Sequence, residues 1–401
     1  MNFLLGPAKY CNPTEQLMKL KHVLLALGLF AMSHAGTVSG QVPSAPELGA
    51  TSYVLVDFHS GETIAEMQPD LRVDPASITK LMTSYVVFRE LTEGQLRLED
   101  EVLISEKAWR TGGSRMFVEV DTRVSIEDLL MGVIVQSGND ASVALAEHVA
   151  GSEEVFAQMM NAEAERLGMD GTSYENATGL TGAEHYTTAQ DVAILAAALI
   201  DEFPEYYNWY SQREFTYNGI AQQNRNLLLG RDPSVDGLKT GHTESAGYCL
   251  ATSAVRDGMR LISVVMGTES ESARATASQA LLNYGFRFFE TFKLYSAGDV
   301  ISSTPVWKGK VDEMRLGIAN DLFVTVPRGS QGLLSAEILV PGKPIAPFQT
   351  GQQLGTLEIS FDGETRLQRP LVVLDAVLQA GWWGRTTDGI GLWFDGLFGG
   401  D

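Results

Sequence analysis

Cysteine is nearly absent from this chain: Cys11 and Cys249 are the only two in 401 residues. No disulfide framework can organise the fold. Histidine is scarce too, with six. His59, His148 and His185 lie far apart and show no metal-ligand spacing, so no metal or other cofactor is expected. Basic residues are outnumbered, 29 Lys and Arg against 50 Asp and Glu, for a formal charge of −21. That balance argues against a nucleic-acid partner and against an acidic polymer bound by charge alone. No phosphate-cradling glycine loop stands out. The N-terminal apolar run, Val23 to Met32, is too short to cross a bilayer comfortably.

What surrounds that run is informative. Lys19 and Lys21 precede it and Ser33-His34-Ala35 follows, the charged, apolar, small-residue order of a secretory signal peptide. Residues 1–35 are expected to be a leader, with the part before Met18 upstream of the signal proper. They carry Lys9, Lys19 and Lys21 against Glu15, a net +2, so removing them takes −21 to −23. Cys11 leaves with them. Cys249, in the apolar run Tyr248 to Val255, then reads as a small core residue.

Three short motifs occur in order: Ser77-Ile78-Thr79-Lys80, Ser137-Gly138-Asn139 and Lys239-Thr240-Gly241. Singly each is unremarkable, since Ser-x-x-Lys arises by chance and Ser-Gly-Asn is an ordinary turn. Together they supply what a serine nucleophile needs. A hydroxyl is a weak nucleophile at neutral pH without a base in hydrogen-bond reach. If Ser77 to Leu91 is a helix with Leu81, Tyr85, Phe88 and Leu91 along one side, Ser77 and Lys80 share a face. Lys80 acts as a base only when neutral, and burial beside a second cation lowers its pKa. Lys239 is that cation, and the two lysines are expected to converge and titrate as a pair. Ser137 would relay a proton between them, and Asn139 would hold Lys80 and the substrate amide. Lys239-Thr240-Gly241 reads as an edge strand on which an extended peptide can add. The backbone N–H groups of Ser77 and His242 would form the oxyanion hole.

The chain resembles the serine-type D-alanyl-D-alanine carboxypeptidases, the low-molecular-mass penicillin-binding type with a C-terminal β domain and membrane anchor. The resemblance starts near Ser52. It rests on Asp74-Pro75-Ala76-Ser77, Gln136 to Asp140, Asn224-Arg225-Asn226, Val235 to His242, Gly285 to Glu290 and Arg369 to Val373. It implies removal of the terminal D-alanine from the peptidoglycan stem peptide and acylation of Ser77 by β-lactam antibiotics. Ser77, Lys80, Ser137, Asn139 and Lys239 take the catalytic positions. Thr240, Gly241, His242, Arg225 and Arg274 take substrate-binding ones. Arg274 is the candidate for the peptide's terminal carboxylate, because a guanidinium can pair with both oxygens. Three alternatives stay open: a β-lactamase, a DD-endopeptidase and a non-catalytic wall-binding protein. A β-lactamase needs a deacylating glutamate, for which Glu175-Asn176 is the nearest candidate, in surroundings unlike that motif.

The expected fold is α/β (α+β), a penicillin-recognising transpeptidase/β-lactamase-like catalytic domain over 45–288 with helices on an antiparallel sheet. A small all-β domain over 294–375 follows, made of short β-branched runs such as Leu322 to Val326 and Gly355 to Ile359. Residues 376–401, with Trp382, Trp383, Trp393 and Phe394, are a candidate amphipathic anchor. Arg385 against Asp388, Asp395 and Asp401 gives it no attraction to anionic lipid. These expectations place the protein outside the cytoplasm, on the periplasmic face of the inner membrane.

Overall fold

The computed structural model describes residues 42–382. The expected leader, and the tail from residue 383 onward, lie outside the described residues. A five-stranded antiparallel sheet forms the first half. Its order is Thr63–Met67, Ser52–Asp57, Met259–Thr268, Gly247–Arg256 and Val235–Thr243. Successive side chains of a strand point to opposite faces, and here both faces are covered. Val54, Val56, Cys249, Ala251, Ile262 and Val264 face one core, built with the helices Lys80–Thr92, Asn139–Ala150 and Ala189–Glu202. Leu55, Leu250, Leu261 and Val265 face the other, where Leu281, Leu282 and Phe286 of the helix Glu271–Phe288 pack. Two-sided burial explains why these strands read as nearly continuous apolar runs.

The helix Lys80–Thr92 is more enclosed than a one-sided stripe predicts. Met82, Val86 and Val87 are buried along with Leu81, Tyr85, Phe88 and Leu91. It runs through the centre of the helical layer, so its apolar residues surround it and no single face stands out.

The strand Phe289–Tyr295 follows the helix Glu271–Phe288 without a linker and pairs with Leu322–Pro327. β structure therefore begins at Phe289, ahead of the change in texture near Leu294, because no glycine or proline marks the junction. A second antiparallel sheet has the order Ser302–Pro305, Glu313–Gly317, Glu364–Val373, Gln353–Phe361 and Leu334–Leu339. It buries Leu357, Ile359 and Leu371 completely. Side chains tie this half to the first sheet. Thr291 Oγ1 donates to buried Asp57 Oδ2 at 2.7 Å, and Ser60 Oγ lies 2.6 Å from Thr325 Oγ1. Among the described residues no helix is long and apolar enough to cross a membrane.

Candidate active site

Ser77 sits in a 3₁₀ turn, Ala76–Thr79, that leads into the helix Lys80–Thr92. The single helix expected from Ser77 is thus divided. The strand Val235–Thr243 presses on this turn so closely that a Cβ on Gly241 would come within 3.0 Å of Pro75 O. In a 3₁₀ turn residues i and i+3 eclipse, which lines Ser77 up with Lys80. Lys80 Nζ is fully buried and has three oxygen partners: Ser77 Oγ at 3.1 Å, Asn139 Oδ1 at 2.7 Å and Thr178 O at 2.5 Å.

The second motif is held by unusual backbone. A π-helical turn, Gly132–Gln136, ends at Ser137 in the left-handed region, φ 61°, ψ 37°. The hydroxyl of Ser137 is buried and has no hydrogen-bond partner among the described residues. It lines the cleft beside Ser77, though no hydrogen bond yet links it to either lysine. Asn139 is fixed from its other end, its Nδ2 donating to Gly112 O at 2.7 Å. Asp140, completely enclosed, accepts from the backbone N–H groups of Met116, Phe117 and Val118 and so pins the facing loop.

The third motif lies on the edge strand of the main sheet, as its sequence suggested. Lys239 is buried, and its Nζ donates to Thr240 O at 3.1 Å. Arg274, 2% exposed, donates through Nη1 to Gly241 O at 3.1 Å and stands over the Tyr248 ring. That ring also carries His242, 4.0 Å away between centroids.

Ser77, Ser137, Asn139, Arg225, Thr240, Gly241, His242 and Arg274 all line one cleft of about 400 Å³. Lys80 and Lys239 lie beneath its surface. Burial pushes the Lys80 ammonium down to about 7, helped by Arg225 and opposed by Asp140. Lys239 is held well below the ordinary lysine range by burial, then by the charges of Lys80, Arg225 and Arg274. A larger groove, about 690 Å³, lies against Leu334–Leu339 in the second half, but no ionisable side chain lines it.

Several contributors carried no signal in the motifs. The carbonyls of Thr178 and Gly112 hold Lys80 and Asn139, yet any residue type supplies a carbonyl. Gly179 shapes the same loop: its φ is +82°, and a Cβ there would lie 1.8 Å from Ala76 O. His185 is a buried brace. Its Nδ1 accepts from Glu175 N–H at 2.9 Å, so Nε2 carries the proton and donates to Thr79 Oγ1 at 2.9 Å. Burial lowers its pKa to about 4, keeping it neutral. Among the described residues, no group of three or more His, Cys, Asp or Glu side chains is placed to hold a metal ion.

Residues 39–270 match the family pattern of D-alanyl-D-alanine carboxypeptidases, and residues 289–379 that of the penicillin-binding protein 5 C-terminal domain. The chain belongs to the D-alanyl-D-alanine carboxypeptidase family. It is 40% identical to D-alanyl-D-alanine carboxypeptidase DacA of Escherichia coli strain K12 over 385 residues, 94% of this chain and 96% of that one. Penicillin-binding protein 5 of Haemophilus influenzae superposes with a TM-score of 0.82 at 41% identity, covering 84% of this chain and all of the other. Penicillin-binding protein D2 of Listeria monocytogenes, solved with ampicillin bound, superposes with a TM-score of 0.56 at 29% identity over 60% of this chain and all of that one. The fold class expected from the motifs is the one found.

Proposed function

We propose that this family member removes the terminal D-alanine from peptidoglycan stem pentapeptides through an acyl-enzyme on Ser77, and that β-lactam antibiotics acylate the same hydroxyl. The contact set of Lys80 carries the reading. A neutral amine has two N–H donors and one lone pair. Asn139 Oδ1 and Thr178 O take the two donors, which leaves the lone pair for the Ser77 hydroxyl. On attack the proton passes to Nζ. The resulting ammonium has three donors for the same three oxygens, so nothing need move. Ser137 Oγ, unpartnered in the cleft, is free to carry that proton on to the leaving amine. Lys239 lies beneath the same cleft, next to Thr240, and Arg274 receives the terminal carboxylate. The edge strand offers its backbone to the peptide, and the N–H groups of Ser77 and His242 receive the oxyanion.

The β-lactamase alternative finds no deacylating group in Glu175. Its carboxylate sits against Gly182, where a Cβ would meet Oε2 at 1.7 Å, and it is not among the residues that line the cleft. The β-rich half is a spacer without chemistry of its own. The protein works after export, at the periplasmic face of the inner membrane, with the tail after Gln379 as its anchor. The first residues of the expected 376–401 anchor belong instead to the β domain, where Val377 is buried and exchanges backbone hydrogen bonds with Phe348. Incubation with a diacetyl-Lys-D-Ala-D-Ala peptide should release free D-alanine, and Ser77→Ala should release none. Release by Ser77→Ala at the wild-type rate would refute the reading.

A further inference from the structure

Arg274 is committed on one side only. Its Nη1 is held by Gly241 O, but Nη2 is buried and has no hydrogen-bond acceptor among the described residues. The nearest anionic oxygen is Glu271 Oε1 at 3.6 Å, on a side chain 57% exposed. Glu271 also lines the cleft, one turn before Arg274 on the same helix. A buried guanidinium nitrogen with nothing to bond is costly to maintain. A loose pairing with a solvent-exposed carboxylate relieves only part of that cost. A substrate carboxylate that takes Nη2 must displace Glu271 and then sit beside it, two like charges within a few ångströms.

We propose that Glu271 is a built-in competitor for the substrate's terminal carboxylate, setting how weakly the cleft binds peptides and penicillins that carry one. This rests on the carboxypeptidase reading and on Arg274 as the carboxylate partner. Two unit charges about 5 Å apart at a wet cleft repel enough to change binding about three- to tenfold. Removing the charge therefore favours carboxylate-bearing ligands, and only those. The gain belongs in binding and not in the chemical step, because Glu271 does not touch Ser77 or Lys80.

The test compares the full chain with Glu271→Gln on two ligand pairs. One pair is a D-Ala-D-Ala peptide and the same peptide ending in D-alaninamide. The other is benzylpenicillin and its methyl ester. Glu271→Gln should lower KM for the acid peptide about three- to tenfold, with kcat within about twofold. It should raise the second-order acylation rate of benzylpenicillin by a similar factor. The amide and the ester should be unaffected, and in an Arg274→Gln background the gain should vanish. An unchanged KM and acylation rate, or an equal gain for the amide and ester, overturns the proposal. Failure of the wild type to release D-alanine would refute the peptidase reading alone, since the penicillin pair reads the Glu271 effect without peptide turnover.

Discussion

Acylation of Ser77 should follow the protonation of Lys80, and the structure sets where on the pH scale. An ordinary lysine has a pKa of about 10.4, so roughly one in 2,500 is neutral at pH 7. Burial brings Lys80 to about 7, where about half is neutral. The enclosure thus supplies about a thousandfold more base at neutral pH. The perturbation is pH itself, between about 5 and 9.5, and the assay is single-turnover acylation by a penicillin read by mass spectrometry. The second-order rate should fall about tenfold per unit below an apparent pKa near 7 and level off above it. Arg225 lends a sharper check. Its charge lowers the Lys80 pKa, so Arg225→Gln must move the acid limb to higher pH, and never lower. A limb centred at 9 or above, or a flat profile, would refute the proton inventory drawn for Lys80.

Other perturbations test separate parts of the structure. The Lys80 pKa is lower folded than unfolded, so the unfolded chain binds more protons between about pH 7 and 10.4 and stability rises with pH in that window. Wild-type stability by urea denaturation should gain about 2 kcal/mol between pH 7 and 9 relative to Lys80→Met, which loses that slope. Gly179→Ala should cut penicillin acylation at least about a hundredfold, because its Cβ would drive Ala76 O and the nucleophile turn out of place. Tyr85 donates to Glu202 Oε2 at 2.6 Å and accepts from Arg89 at 2.9 Å within the helical layer. Tyr85→Phe should cost about 1–3 kcal/mol in urea denaturation and leave acylation by penicillin unchanged. Burial raises the Cys249 thiol to about 11, so a disulfide-exchange reagent at pH 8 should label it only after unfolding.

The side chains that meet at the cleft were legible because their chemistry restricts residue type. A serine three positions before a lysine, a second lysine before Thr-Gly and an asparagine after Ser-Gly have few substitutes for the reaction. The main hairpin, Gly247–Arg256 with Met259–Thr268, was legible from its two apolar runs around Asp257-Gly258. What stayed hidden was carried by backbone or by packing. Thr178 O and Gly112 O could belong to any residue. The 3₁₀ geometry at Ser77 comes from a strand more than 150 positions away pressing on the turn, which local pattern does not record. His185 shows no metal-ligand spacing in the sequence, which says nothing of its place beneath Thr79 as a neutral brace. Glu271 is an acidic residue in the first turn of its helix, a common placement that carries no signal of its own. Its meaning depends on where Arg274 points.

The charge of the chain and the charge of the cleft have opposite signs, and that contrast bears on how the site works. The chain carries −21 overall, yet Lys80, Lys239, Arg225 and Arg274 gather at one concavity. Two of these are lysines with no paired carboxylate among the described residues, and burial has moved both toward the neutral form. A positive site inside an acidic surface attracts anions only at short range, because beyond about 8–10 Å in salt the surrounding carboxylates and counter-ions cancel it. Long-range steering of anionic ligands is therefore weak. Selection happens in contact, where Arg274 meets a carboxylate and Glu271 opposes it. Raising ionic strength should then leave penicillin acylation nearly constant. A steep loss with salt, measured between about 20 and 300 mM, would mean that the cations act at a distance and that the acidic surface does not screen them.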